Sequence, residues 1–261
     1  MAHTIYQNFV LENKIEDMLE THLGLSQFCT VDNSLTENPG MIKKINKYTA
    51  VGDVEDLAMG EGNSQDIEVT FVQTPYTVGT TQGRFQYYDE QEMTDPMVVD
   101  VGLQGISAKM TNDLTSKIIA EFDNASLTYD ASATGLTFDA VVDAISKYPY
   151  EEEEGLFLII NPADKAALRK NLGQELKYVE DFARTGYIGT VCGVPVYVSK
   201  AVPAKTAYLA DKKAVTIFVK KGSEIEQDRD PNVRLNKVFA RKVMLVALTD
   251  ATRAIKIATA V

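Results

Sequence analysis

Between Pro96 and Phe122 the chain carries one unbroken helical pattern. Val99, Leu103, Ile106, Met110, Leu114, Ile118 and Phe122 recur at steps of three and four, which draws a single apolar stripe along one face of a helix. Asp95 suits the N-cap and Pro96 the first helical position. At about 1.5 Å per residue the rod is on the order of 40 Å long, more than an ordinary globular helix. Such a stripe needs a cover. Val243, Met244, Leu245, Val246 and Leu248 are apolar on both faces of a strand, so one of those faces needs a partner beyond its own sheet. The helix is expected to pack there through Leu103, Ile106, Met110 and Leu114.

The segments around this rod differ in character. Residues 5–22 read as a weakly amphipathic arm or short helix, and Asn38-Pro39-Gly40 breaks the chain. From 41 to 93 the pattern turns to strands. Ile67, Val69 and Phe71 alternate with Asp66, Glu68 and Thr70, Gly79–Gly83 reads as a turn, and Phe85 and Tyr87 alternate beyond it. This excursion has few large apolar residues and should lie against something else, such as another copy of the chain. Strand and helix then alternate. Thr137 caps a helix bearing Phe138, Val141, Val142 and Ile145; Leu156–Ile160 is a buried strand; Asn161 and Pro162 open the next helix. Residues 193–198, 207–210 and 214–219 supply three short strands, with Pro195 placing the first at an edge or a bulge. The last forty or so residues read as antiparallel strands. There Glu224, Glu226, Asp228 and Asp230 interleave with Arg229, Arg234, Arg241 and Lys242, a solvated face sooner than a subunit contact.

The inventory of reactive groups is thin. His3 and His22 are the only histidines, and Cys29 and Cys192 the only cysteines. That is too little for a disulfide scaffold, and no CxxC or HExxH occurs. Gly60-Glu61-Gly62 begins like a dinucleotide loop, but Gln65 stands where the third glycine belongs, so it reads as a turn. The run Glu151–Glu154 reads as a solvated connection. No catalytic, cofactor-binding or metal-binding residue is assigned. Thirty-seven acids against 26 bases give a net charge of −11, a poor basis for gripping phosphates over a broad surface. No membrane span or secretory signal is evident, so the chain is expected to be made in a cytoplasm.

The order of parts (arm, two-stranded extension, long helix, α/β unit, returning strands) resembles the HK97-type major capsid proteins of tailed bacteriophages. Gly186–Ser199, GYIGTVCGVPVYVS, is similar to the family's G-x-I-G-x-x-x-G-x-P-V segment. Gly222–Asp230, with Ala240-Arg241 and Val246–Leu248, is similar to its closing strands, and Gly52–Gly62 resembles the outer limb of its extended loop. The likeness covers nearly the whole chain. It implies an α+β fold with an N-terminal arm at 1–39, an extended hairpin loop at 40–95, a peripheral domain at 96–135 and 220–261, and an axial domain at 136–219. It further implies a non-enzymatic subunit of an icosahedral virion shell, a homo-oligomer in hexameric and pentameric capsomers. That shell would enclose double-stranded DNA without sequence-specific binding, use a separate scaffolding protein and a portal, and involve no cofactor and no membrane. An encapsulin-type cellular shell is the alternative within the same fold. A soluble α/β enzyme with an unrecognised site is the alternative outside it. Lys43, Lys44 and Lys47 are available for the crosslinking known in some relatives, but no motif assigns it.

Overall fold

The computed structural model describes residues 6–7, 24–150, 155–175 and 189–259. The long rod is present. Strands β1 (Tyr6–Gln7), β2 (Thr30–Asp32), β3 (Ile42–Val51), β4 (Glu68–Thr77) and β5 (Gly79–Tyr88) precede a short helix α1 (Asp89–Thr94) and the 26-residue α2 (Met97–Phe122). Pro96 stands at the cap of α2, and the Asp95 carboxylate accepts from the Met97 amide at 3.0 Å. Beyond it lie β6 (Leu127–Ala131), α3 (Phe138–Ser146), β7 (Leu156–Ile160), α4 (Pro162–Glu175), β8 (Thr190–Val191), β9 (Val194–Val198), β10 (Thr206–Asp211), β11 (Val215–Asp230), β12 (Leu235–Leu248) and β13 (Ala254–Thr259).

Two larger sheets and one hairpin result. Among the described residues, a five-stranded sheet runs β1-β11-β12-β5, with β2 also paired to β11; a six-stranded sheet runs β6-β13-β10-β7-β9-β8; β3 and β4 pair only with each other. Helix α2 joins the two sheets. Its first half buries Leu103, Ile106 and Met110 against Tyr87, Ile225, Val238 and Ala240. Its last turns bury Ile118, Ile119 and Phe122 among Phe157, Tyr208, Ile217, Val246 and Leu248. The expected partner strand is therefore right, but the contact is displaced along the rod. Val246 and Leu248 meet the C-terminal end of α2, while Leu245 and Ala247 are covered on the opposite face by Leu35, Ile45 and Val78.

The six-stranded sheet is apolar on both faces. Along β7, Leu156, Leu158 and Ile160 face α3 and α4 through Val141, Ala144 and Leu168, while Phe157 and Ile159 face the end of α2. A polar seam closes that junction: the Tyr208 hydroxyl donates to Asp123 at 2.6 Å, and Lys256 pairs with the same carboxylate at 2.8 Å.

Four local expectations are corrected. Gly79–Gly83 is no turn. These residues open β5, which pairs with β12 from Met244↔Gly79 to Leu235↔Tyr88, so the hairpin proper ends at Thr77 and not at 95. A long-range ladder overrides the local turn preference of glycine and threonine. The missing side chains also let α2 close on the strand, since a Cβ on Gly102 would lie 2.5 Å from Phe85 Cε2. Residues 214–219 and 224–230 are not separate strands. They form the single 16-residue β11, bent by register shifts between Val219 and Glu224. The sheet assignments therefore cross the expected boundaries at 135 and 220. β6 and β13, expected beside the long helix, pair in parallel and join the six-stranded sheet; a five- or six-residue apolar strand does not encode which sheet edge it completes. Finally, Phe138 and Val142 are exposed, and α3 buries Ala140, Val141 and Ala144. The Thr137 cap is as expected, accepting from the Ala140 amide at 3.2 Å.

Candidate assembly surface

Among the described residues, the β3–β4 hairpin packs on the subunit through its base. Ile45 and Val78 are buried with Leu35, Phe218 and Leu245, and Lys43 lies 5.1 Å over the Phe218 ring. Across the strands Gln73 Nε2 donates to Asn46 Oδ1 at 3.0 Å, and nearer the tip the Thr70 hydroxyl donates to the Thr49 carbonyl at 3.4 Å. Strand residues alternate between faces, and the register puts Tyr48 opposite Phe71 and Ala50 opposite Val69 on one face. The Tyr48 and Phe71 rings sit 6.0 Å apart, yet they are 66% and 61% exposed, and Val69 and Val72 are 61% and 68% exposed. Exposed apolar patches of this kind mark interaction surfaces.

Residues 52–67 form the tip. Gly52 is required at the neck: its φ is +138°, and a Cβ there would lie 2.9 Å from the Asp66 carbonyl oxygen. Glu55 holds the tip loop together, accepting from the Ser64 amide at 2.8 Å and its hydroxyl at 2.5 Å, which lowers the pKa of the Glu55 carboxyl. Val54, Leu57 and Met59 are exposed, Met59 fully. The segment also carries Asp53, Glu55, Asp56, Glu61 and Asp66, with no lysine or arginine.

The interleaved charges of the closing strands mostly pair within the chain. Arg241 reaches Glu224 at 2.7 Å and Glu226 at 2.5 Å, while Lys221 reaches Glu224 at 2.8 Å. Arg229 and Asn236 both donate to Asp89 at 2.6 Å. Hydrogen bonds from Arg241 and Lys221 hold the Glu224 carboxyl down at about 2. The folded state therefore favours ionised Glu224, and its contribution to stability is full above the unfolded carboxyl value of about 4.3. That contribution is lost as pH falls from there toward about 2. Urea denaturation of the subunit across that window is expected to show this acid-side loss, with a shallower slope in Arg241→Ala.

The sequence candidates fall as follows. His3, His22 and Glu151–Glu154 lie outside the described residues. Glu61 donates its amide to Ala58 at 3.1 Å in a turn, as Gly60-Glu61-Gly62 suggested. The capsid-like Gly186–Ser199 motif forms, from Gly189 onward, a tight β8–β9 hairpin. Cys192 and Gly193 occupy its two loop positions at φ +52° and +80°, the type I′ geometry that glycine at the second position favours. Cys192 is thus a half-buried turn residue. Cys29 is the buried thiol, its pKa pushed up to about 12 by desolvation. Among the described residues no cluster of three or more His, Cys, Asp or Glu could hold a metal ion, and no helix is long and apolar enough to cross a membrane.

A long helix joining two sheets, with an unsupported hairpin beside it, is the arrangement of HK97-type shell proteins. The capsid of a native GTA particle superimposes with a TM-score of 0.71 at 13% identity, over 92% of this chain and 91% of that one. A chain of Mycobacterium phage Che8 does so with a TM-score of 0.67 at 13% identity, over 98% and 93%. In sequence, the major capsid protein of Staphylococcus phage phiMR11 is 27% identical over 255 residues, 95% of this chain and 91% of that protein. Residues 71–257 match the phage capsid protein family. The chain belongs to that family.

Proposed function

We propose that this chain is the structural subunit of an icosahedral phage head, which self-assembles into pentameric and hexameric capsomers around double-stranded DNA and does no enzymatic chemistry. The hairpin carries the reading. Its Tyr48–Phe71 face and apolar tip have no cover among the described residues, and a neighbouring copy supplies one. The five-stranded sheet with α2 is the peripheral domain, and the six-stranded sheet with α3 and α4 is the axial domain that meets its neighbours at the capsomer centre. β6 and β13 belong to the axial part on this division. The net charge of −11 suits a shell filled by a motor, since a negative chain does not trap DNA on entry. A portal at one vertex is the expected partner for filling.

Sedimentation of the purified 28.8 kDa chain is the test. Closed megadalton particles are expected; a species no larger than a small oligomer under all assembly conditions favours a soluble enzyme. DNA inside particles recovered from lysed host cells separates a phage head from a cellular compartment.

A further inference from the structure

We infer that Glu121, near the C-terminal end of α2, sets the direction in which the β3–β4 hairpin leaves the subunit. The purpose of that aim rests on the clamp reading above, while the aim itself is a property of the single subunit. The apolar anchor of the hairpin, Ile45 and Val78 against Phe218 and Leu245, fixes where the hairpin sits. Apolar burial is non-directional, so this anchor leaves the angle open. The lever is long. From Ile45 to Val51 the strand extends about 20 Å, so a swing of about 15° at the anchor carries its far end about 5 Å. Holding such an arm takes a directional interaction away from the anchor.

The polar groups that converge on Glu121 supply one. Residues alternate between strand faces, so Lys43, Ile45 and Lys47 share the inward side of β3, where Ile45 is buried and Lys47 half-buried. Tyr76, on β4, packs against the same apolar cluster as Ile45. Glu121 reaches this junction from the long helix, and its Oε2 accepts from the Leu248 amide at the end of β12 at 3.1 Å. Burial raises the Glu121 carboxyl, while the Leu248 amide and the charge of Lys47 oppose the rise. Burial and the charge of Glu121 raise the Tyr76 hydroxyl, and a backbone hydrogen bond at Leu248 opposes them. Lys117, one turn back on α2, is taken by Asp113 at 2.6 Å and Thr81 at 2.7 Å. Lys47 is the cation whose charge reaches Glu121, and it lies two positions beyond Ile45 toward the tip. Solvent ions screen a partly buried pair of this kind less than an exposed one. The long helix, the closing strand and both hairpin strands thus meet at one carboxylate.

Glu121→Gln removes the charge and keeps an oxygen that can accept from the Leu248 amide, which separates aim from folding. Spin labels at Leu57→Cys in the tip and Ser116→Cys on α2, in a chain carrying Cys192→Asn, report the hairpin-to-helix distance by double electron–electron resonance on the unassembled subunit. Cys29 is buried and so protected from the label. The parent should give one narrow distance distribution. Glu121→Gln and Lys47→Gln should each shift and broaden it to a similar extent without lowering the melting temperature, and the double variant should be no broader than either single one. A parent-like distribution in Glu121→Gln would overturn the inference, as would effects of the two substitutions that simply add. A lowered melting temperature with an unmoved distance marks a structural role only and overturns it too. If Glu121→Gln redirects the hairpin while a chain without the hairpin still forms shells, the aim stands and the clamp reading fails.

Discussion

Removing residues 47–72 and joining Asn46 to Gln73 through an Asn-Gly turn is expected to yield a subunit that folds, stays soluble and does not assemble. The cut follows the packing. Ile45, Tyr76 and Val78, which cover Leu245 and Phe218, are retained, and so is β5, whose pairing with β12 spans ten residue pairs. The part removed contributes almost nothing to the subunit core: Tyr48, Phe71, Val69 and Val72 are each more than half exposed. The new turn matches the right-handed twist of the two strands it joins. Thermal melting should therefore change little, while particle formation, read by sedimentation, should be lost entirely. A deletion that ran into residues 79–88 would instead strip the sheet edge that faces α2, and its failure would report on folding.

Leu103→Ala is expected to destabilise the subunit by about 2–5 kcal/mol, the usual cost of emptying a packed leucine site. Leu103 is fully buried between Tyr87, Ile225, Val238 and Ala240. Those residues come from three strands of a rigid sheet, so little collapse into the vacated volume is expected. Relative to a marginal overall stability, such a loss unfolds a large share of the chain before it can associate. The lesion should appear as insoluble or unassembled protein, and in urea titration as a lowered midpoint with an unchanged slope. Gln104→Ala, on the exposed side of the same turn, should stay within about 0.5 kcal/mol of the parent.

The rod was the most legible part of the chain because its stripe, cap and following breaks all agree: α2 begins at Met97 and ends at Phe122, within a residue of the pattern. The buried strand Leu156–Ile160 and the caps at Thr137 and Asn161 were legible for the same reason. Strand partners were not. Gly79-Thr-Thr-Gln-Gly83 carries no apolar side chain to betray a strand, and its ladder with β12 joins residues more than 150 positions apart. β13 could equally have extended the strands before it, and only the three-dimensional packing shows that it lies between β10 and β6. The hairpin's shortage of large apolar residues was visible in its composition, and the structure adds which face, Tyr48 with Phe71 and Val69, is exposed. The close approach of β5 to α2 left one trace in sequence, the glycine at 102 within an otherwise strong helix, where it lowers helix stability by about 1 kcal/mol relative to alanine.

Whether the hairpin of one subunit clasps the next is read from a density map of the assembled particle by electron cryo-microscopy. The expected map is a closed icosahedral shell in which the Tyr48–Phe71 face of each hairpin is buried on an adjacent subunit. A closed shell whose hairpins fold back onto their own subunits, or stand free in solvent, would contradict it.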